Sequence, residues 1–265
     1  MSKLAIITTD LHLGITSGIK ILSIKKEMLK NGNPDIIILA GDIGETVNNF
    51  EICLKLFSDI RCPVGVVIGN HDLYNTDGNY HSEELWRTIL PDIVKKYGFI
   101  WMEKETITVN NIAFIGTMAW YDYSSRVPVF SHLPDDFFYK NKGRFVNDGN
   151  YIDWDRRDTD FSSELLDSFE KRLAMMQEDK AIRRIIVVTH VPLFKEQLIH
   201  YYSDNRYADA YFGNFTTGKR VARFSKVTDV ISGHTHRGVD TIVGSIRTKV
   251  IPSDYGKPAF ITLKF

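Results

Sequence analysis

"PDIIILAGD" (residues 34–42) runs five apolar residues without a break and then ends, after a glycine, on a carboxylate. A strand covered on both faces loses the apolar–polar alternation of a half-exposed strand, so such a run reads as buried strand in a parallel sheet. The same pattern stands on either side of it. "LAIITTD" (4–10) precedes it, and "CPVGVVIGNHD" (62–72) follows. Between the first two, "IKILSIKKEMLKNG" (19–32) spaces its apolar residues for an amphipathic helix and stops at a glycine; residues 47–60 read as a second helix. Strand alternating with helix predicts βαβ units, an α/β protein with a parallel sheet covered on both sides.

The second half keeps the strands and loosens the cadence. "TITVNNIAFIGTMAW" (106–120) predicts a hairpin turning at Asn110-Asn111. "SSELLDSFEKRLAMMQ" (162–177) predicts a helix capped by Ser162 or Ser163. "RRIIVVTH" (183–190) and "VTDVISGHTH" (227–236) are further strands, and "DTIVGSIRTKVIPS" (240–253) and "AFITLKF" (259–265) close the chain with short ones. Residues 121–160 are the exception, rich in aromatic and charged residues and broken by Pro128, Pro134, Gly143 and Gly149. A linker would be less aromatic, and long internal loops are commonly lids, so this stretch is expected to pack over a site.

Bulk properties narrow the classes. A chain of 265 residues fits one α/β domain, 1–265, with room for a sizeable core. Lys+Arg and Asp+Glu balance at 33 each, which speaks against a long nucleic acid as partner without removing a local patch. Two cysteines, Cys53 and Cys62, with no CxxC spacing, point to reduced thiols rather than a bridged scaffold. "MSKLAIITTDLHLG" enters a strand-like run at once, and no run of about eighteen apolar residues occurs, so a cytoplasmic protein without membrane association is expected.

The strand ends carry the chemistry. In open α/β sheets ligands bind beyond the carboxyl ends of the strands. Here those ends hold Asp10 with His12, Asp42, Asn70 with His71 and Asp72, His190, and His234 with His236. Singly each has a bland explanation, as turn former, helix cap or core imidazole. As a set, five strand-like runs end in metal-competent residues, and neighbouring parallel strands would bring them to one spot. In an extended "GHTH" (233–236) the two imidazoles would share a side.

In order along the chain, "DLH" (10–12), "GD" (41–42), "GNHD" (69–72), "VVTHVP" (187–192) and "GHTH" (233–236) resemble the motifs of the calcineurin-like metallophosphoesterases. The resemblance implies a four-layer α/β/β/α sandwich with mixed sheets and two metals at the sheet edge. It places Asp10, His12 and His236 on one ion and Asn70, His190 and His234 on the other, with Asp42 bridging. It makes His71 the acid or base facing the phosphate and gives Asp72 the task of orienting it. It further implies hydrolysis of a phosphoester by attack of a metal-bridging hydroxide.

Imidazole, carboxylate and amide oxygen with no thiolate suit two divalent ions such as Mn²⁺, Fe or Zn²⁺. Two ions about 3.5–4 Å apart activate water and clamp phosphoryl oxygens. The same core serves nucleases and nucleotide phosphodiesterases, and the fold also occurs in non-catalytic scaffolds. His81, His132 and His200 lie outside the motifs and read as surface or loop residues, His132 being the nearest candidate to substrate. Arginines 126, 144, 156, 157 and 206 are open candidates for a second phosphate or a carboxylate of the substrate.

Overall fold

The computed structural model describes residues 3–30, 32–198 and 205–265, so His200 lies outside the described residues. The first half supplies strands β1 (Leu4–Thr9), β2 (Ile36–Ala40), β3 (Val64–Val67) and the short β4 (Ile100–Trp101). Then come β5 (Thr106–Val109), β6 (Ile112–Thr117), β7 (Arg184–Thr189), β8 (Val227–Ser232), β9 (Val239–Val243), β10 (Ile246–Val250) and β11 (Ala259–Lys264). They form two mixed sheets, as the motif resemblance implies, and not the one parallel sheet that strand–helix alternation predicts. The first has the order β11-β1-β2-β3-β4, parallel except for β11, which pairs antiparallel with β1. The second has the order β5-β6-β7-β8-β10-β9, with a parallel centre and antiparallel pairs at both edges.

Two sheets are possible because the strands of the second half are apolar on both faces in alternation. Phe114, Ile186, Val188 and Ile231 face inward and share one core with Ile6, Ile37 and Val66 of the first sheet. Ala113, Ile115, Ile185, Val187 and Val230 face outward into a second core. Helices complete the sandwich. On the first sheet lie α1 (Gly18–Lys30) and α2 (Val47–Phe57), the latter capped by Thr46, whose hydroxyl accepts from the Asn49 amide at 3.1 Å. Helix α3 (Ser82–Glu84) passes through a π turn (Leu85–Ile89) into α4 (Leu90–Lys96).

Helix α5 (Asp135–Phe145) and the single turn α6 (Asp148–Tyr151) belong to the aromatic stretch. Helix α7 (Asp158–Glu178) covers the second sheet with Phe169 and Leu173, joined by Val221 of α8 (Phe215–Val221). Fully burying such a side chain stabilises by about 1.5–3 kcal/mol. The serine cap expected for α7 is corrected: the helix starts at Asp158, and Ser162 sits buried inside it. The hairpin at Asn110-Asn111 forms as the sequence suggests, with Asn110 at φ 57°.

Residues 121–160 are wired into the core. Tyr121, Tyr123 and Phe138 have no more than 1% exposure. Asp158, fully buried, accepts hydrogen bonds from the Trp120 indole and the Lys142 ammonium at 2.8 Å each and from the Tyr123 hydroxyl. Buried charges survive only when paired and hydrogen-bonded, and here three donors surround one carboxylate. Part of the aromatic excess of this stretch, Tyr121, Tyr123 and Phe138, is therefore core material. Both cysteines are free thiols. Among the described residues no helix is long and apolar enough to cross a membrane.

Candidate metal centre

The strands stop short of the motif residues, and the backbone turns sharply just beyond them. Asp10, His12, Asp42, His234 and His236 all have positive φ, between 45° and 69°. Non-glycine residues rarely adopt that region, and each such residue costs about 1–3 kcal/mol that the surrounding fold must offset. The extended "GHTH" expected from the sequence is thus corrected: β8 ends at Ser232, and His234 and His236 are aimed by two left-handed turns. The glycines before the motifs are required by close approach. A Cβ on Gly69 would sit 2.1 Å from Asp42 Oδ1, and one on Gly233 would sit 2.4 Å from Asp10 Oδ2.

All the residues named from the motifs meet beyond the ends of the central strands of both sheets. Ligand-type atoms of Asp10, His12 and His236 lie within 4.8 Å of one another, as do those of Asp42, His190 and His234. A third set, His12, Asp42 and His71, joins the two. On the first side, His12 donates from Nδ1 to Glu45 at 2.5 Å and turns Nε2 toward Asp42 Oδ2 at 3.5 Å and Asp10 Oδ1 at 3.9 Å. His236 does likewise, with Nδ1 on Asp254 at 3.1 Å and Nε2 3.6 Å from Asp10 Oδ1.

On the second side the outer partners are backbone carbonyls. His190 places Nδ1 3.2 Å from the Ala40 oxygen, and His234 places Nε2 3.2 Å from the Tyr211 oxygen. Asn70 is oriented by a residue from the aromatic stretch. Its amide nitrogen donates to Asp148 at 2.8 Å, which directs its oxygen inward, 3.1 Å from His190 Nε2. Asp148 is a pure acceptor that also receives the Tyr74 and Tyr121 hydroxyls at 2.6 and 2.8 Å, so the opposite amide orientation would face oxygen with oxygen.

His71 and Asp72 do not form the pair expected from the sequence. Asp72 accepts from the backbone amides of Ile43, Gly44 and Gly69 at 2.8 to 3.0 Å and so ties the second and third motif loops together. The partner of His71 is Glu45, which takes its Nδ1–H at 3.1 Å while holding His12 with the other oxygen. Orientation of His71 thus belongs to Glu45. Neither Glu45 nor Asp148 stands in a pattern that sequence periodicity marks.

The electrostatics call for positive charge. Burial pushes Asp42 upward, but His190, His71 and His12 together hold it well below the usual carboxylate range. Burial opposes charge on His71 and His190, yet Asp42 leads the anions that raise each to about 9. His234, buried and next to His190, is pushed down to about 3. Despite burial, Glu45 is lowered to about 2 by the two imidazoles it receives.

These residues fit a pair of divalent cations. His190 has oxygens around both ring nitrogens, with Asn70 and Asp42 at 3.1 and 3.3 Å from Nε2. His12 Nε2 is buried with no hydrogen-bond partner between two carboxylates. In each case one nitrogen is fixed from outside and the other is presented inward, the arrangement by which proteins set the tautomer of a metal-binding histidine.

A cavity of about 380 Å³ opens over the cluster. Tyr255 stands at its first side, with its ring 4.5 Å from that of His12 and 4.9 Å from that of His236. Phe145 to Asp148 and Ala208, Tyr211 and Phe212 contribute the opposite wall. His81, 79% exposed and bonded to Asp153, and the exposed His132 do not line it.

The calcineurin-like phosphoesterase family model matches residues 5–238. No curated protein sequence matches the chain. Among solved structures, phosphopantetheinyl hydrolase from Mycobacterium tuberculosis is similar at a TM-score of 0.75 and 18% identity, over 98% of this chain and 96% of that one. A dimetal phosphatase from Danio rerio follows at 0.61 and 13%, over 98% and 91%. GAP50, the anchor in the inner membrane complex of Plasmodium, shares the fold at 0.54 and 17%, over 99% and 81%. At these identities the likenesses establish the sandwich and leave the chemistry to the site.

Proposed function

This chain belongs to the calcineurin-like phosphoesterase family, and on that premise we propose that it hydrolyses a phosphoester with the help of two divalent cations. Asp10, His12 and His236 would hold one, Asn70, His190 and His234 the other, and Asp42 would serve both. The carrying observation is His12 Nε2, fully buried, unpartnered and aimed between Asp10 and Asp42 while Glu45 fixes the other nitrogen. Cations bound there lower the pKa of water and neutralise charge on phosphoryl oxygens.

The chain's own residues do the rest. Glu45 and Asp254 hold the outer nitrogens of His12 and His236, which orients each ring and turns its other nitrogen inward. Asp148 keeps the Asn70 oxygen inward. His71, held at Nδ1 by Glu45 and lining the cavity, is placed to give a proton to the leaving oxygen. Residues 121–160 cover one side of the site in this reading.

The test is direct. Metal-stripped protein given Mn²⁺ should bind about two ions per chain, the stoichiometry of two-metal sites, and should turn over p-nitrophenyl phosphate, bis-p-nitrophenyl phosphate or both. Two bound ions with neither ester hydrolysed would leave the chain a scaffold on this fold. His71→Ala should keep both ions and lower kcat by about 10²–10⁴; an emptied site in metal analysis would make His71 a ligand instead.

A further inference from the structure

The cavity is larger than a phosphate group needs, and what surrounds the excess volume is informative. About 300–1,000 Å³ is the range of sites that enclose small organic molecules. On the second side Phe145, Val146, Ala208 and Phe212 add apolar and aromatic surface beside Asn147, Asp148 and Tyr211. The charged side chains that line the cavity, histidines aside, are Asp42 and Asp148. No lysine or arginine lines it among the described residues.

Cations flanking the wall bond other groups or lie off it: exposed Arg144, next to Phe145 in sequence, bonds the Asn141 amide oxygen. Arg126 bonds Asp135 and the Leu133 carbonyl, Arg156 bonds Glu83 and Glu164, Arg157 bonds Asp136, and Lys142 bonds Asp158. Arg206 pairs with Asp209, and Arg237, next to His236 in sequence, is exposed and off the cavity lining.

We infer that the substrate is a phosphodiester bearing an uncharged, apolar or aromatic group that lies against the wall formed by Phe145, Val146 and Phe212. The inference rests on the two-cation phosphoesterase reading above. A monoester near neutral pH approaches two negative charges, since its second pKa is about 6; a diester carries one. With Asp148 in the wall and no guanidinium or ammonium to meet a third charged oxygen, the second charge is disfavoured. In a diester that oxygen carries carbon instead, and the apolar wall supplies the contact it needs.

Hydrolysis adds water across one P–O ester bond. The water oxygen becomes bonded to phosphorus and the ester oxygen leaves; one proton goes to the released alcohol and one to solvent. The products are that alcohol and a monoester dianion.

The experiment compares kcat/KM of the metal-loaded full chain on bis-p-nitrophenyl, methyl p-nitrophenyl and p-nitrophenyl phosphates at equal metal content. The bis-aryl diester should exceed the monoester by about tenfold or more and should also exceed the methyl diester. Phe145→Ala should remove the advantage over the methyl diester through KM. Asn147→Arg, at an exposed lining position whose side chain caps nothing, should raise relative monoester turnover. Equal or faster monoester turnover would overturn the inference and leave the phosphoesterase reading standing. Equal turnover of the two diesters, unchanged in Phe145→Ala, would overturn the role of the wall. No turnover of any ester with two ions bound would overturn the parent reading and this one with it.

Discussion

The two sides of the centre present the same kind of inward atoms on different supports. Around Asp10, His12 and His236 the outer partners are carboxylates near solvent: Glu45 with 19% and Asp254 with 50% of the side chain exposed. Around Asn70, His190 and His234 they are the Ala40 and Tyr211 carbonyls and a buried carboxylate, Asp148, brought by the aromatic stretch. The first side is held by charge close to the motif loops. The second depends on a segment roughly eighty residues from Asn70 being packed correctly, as the two sequence positions joined at 2.8 Å are 78 apart. A carboxylate near water is screened and replaceable, whereas a buried one with three donors fails as a unit.

That contrast can be broken or sharpened by substitution. Asp42→Asn should give the largest effect, because both sides lean on this carboxylate. Loss of both cations removes several kcal/mol of charge stabilisation, on the order of 10³-fold or more in kcat/KM, and metal analysis should find both ions weakened together. Retention of two tight ions would end the idea of a shared ligand.

Asp148→Ala should come next and should act on one side alone. Affinity for the ion beside Asn70 should fall by about 10–100-fold, as for other residues that orient a ligand, while the ion beside His12 persists. Isothermal titration should resolve one strong and one weakened site; equal weakening of both would mean that Asp148 serves the fold and not the second side. Glu45→Gln should be the mirror image, weakening the His12 side by about tenfold or more and lowering kcat through His71 even at saturating metal. Asp254→Asn should be the smallest, about two- to threefold in metal affinity, because the carboxylate is half exposed and screened. A larger effect for Asp254 than for Asp148 would reverse the contrast.

Much of this was legible before folding, for reasons that are local. Apolar runs of strand length, the Asn110-Asn111 turn and the order of the motifs depend on residues close in sequence, and β2, β5, β6 and β7 fall where those signals place them. The strand–helix cadence alone did not separate one parallel sheet from two, because apolar runs such as Ile185–Val188 read the same whether helices or a second sheet cover them; the order of the motifs implied two, and pairing and packing make them. The aromatic stretch shows where composition stops informing. Tyr121 and Tyr123, with Trp120 just before the stretch, are buried and bond Asp148 or Asp158, partners that no periodicity announces.

By itself the sequence determined which atoms are available for chemistry: imidazoles, carboxylates and one amide after strand-like runs, with glycines before them where a Cβ would collide. The tertiary structure decided how those atoms are aimed. It put five motif residues into left-handed backbone, exchanged Asp72 for Glu45 beside His71, and recruited Asp148 to turn Asn70. The physical reason is one of range. Residue type is a property of a position, while orientation is set by hydrogen bonds between segments far apart in the chain, which exist only once the two sheets have packed.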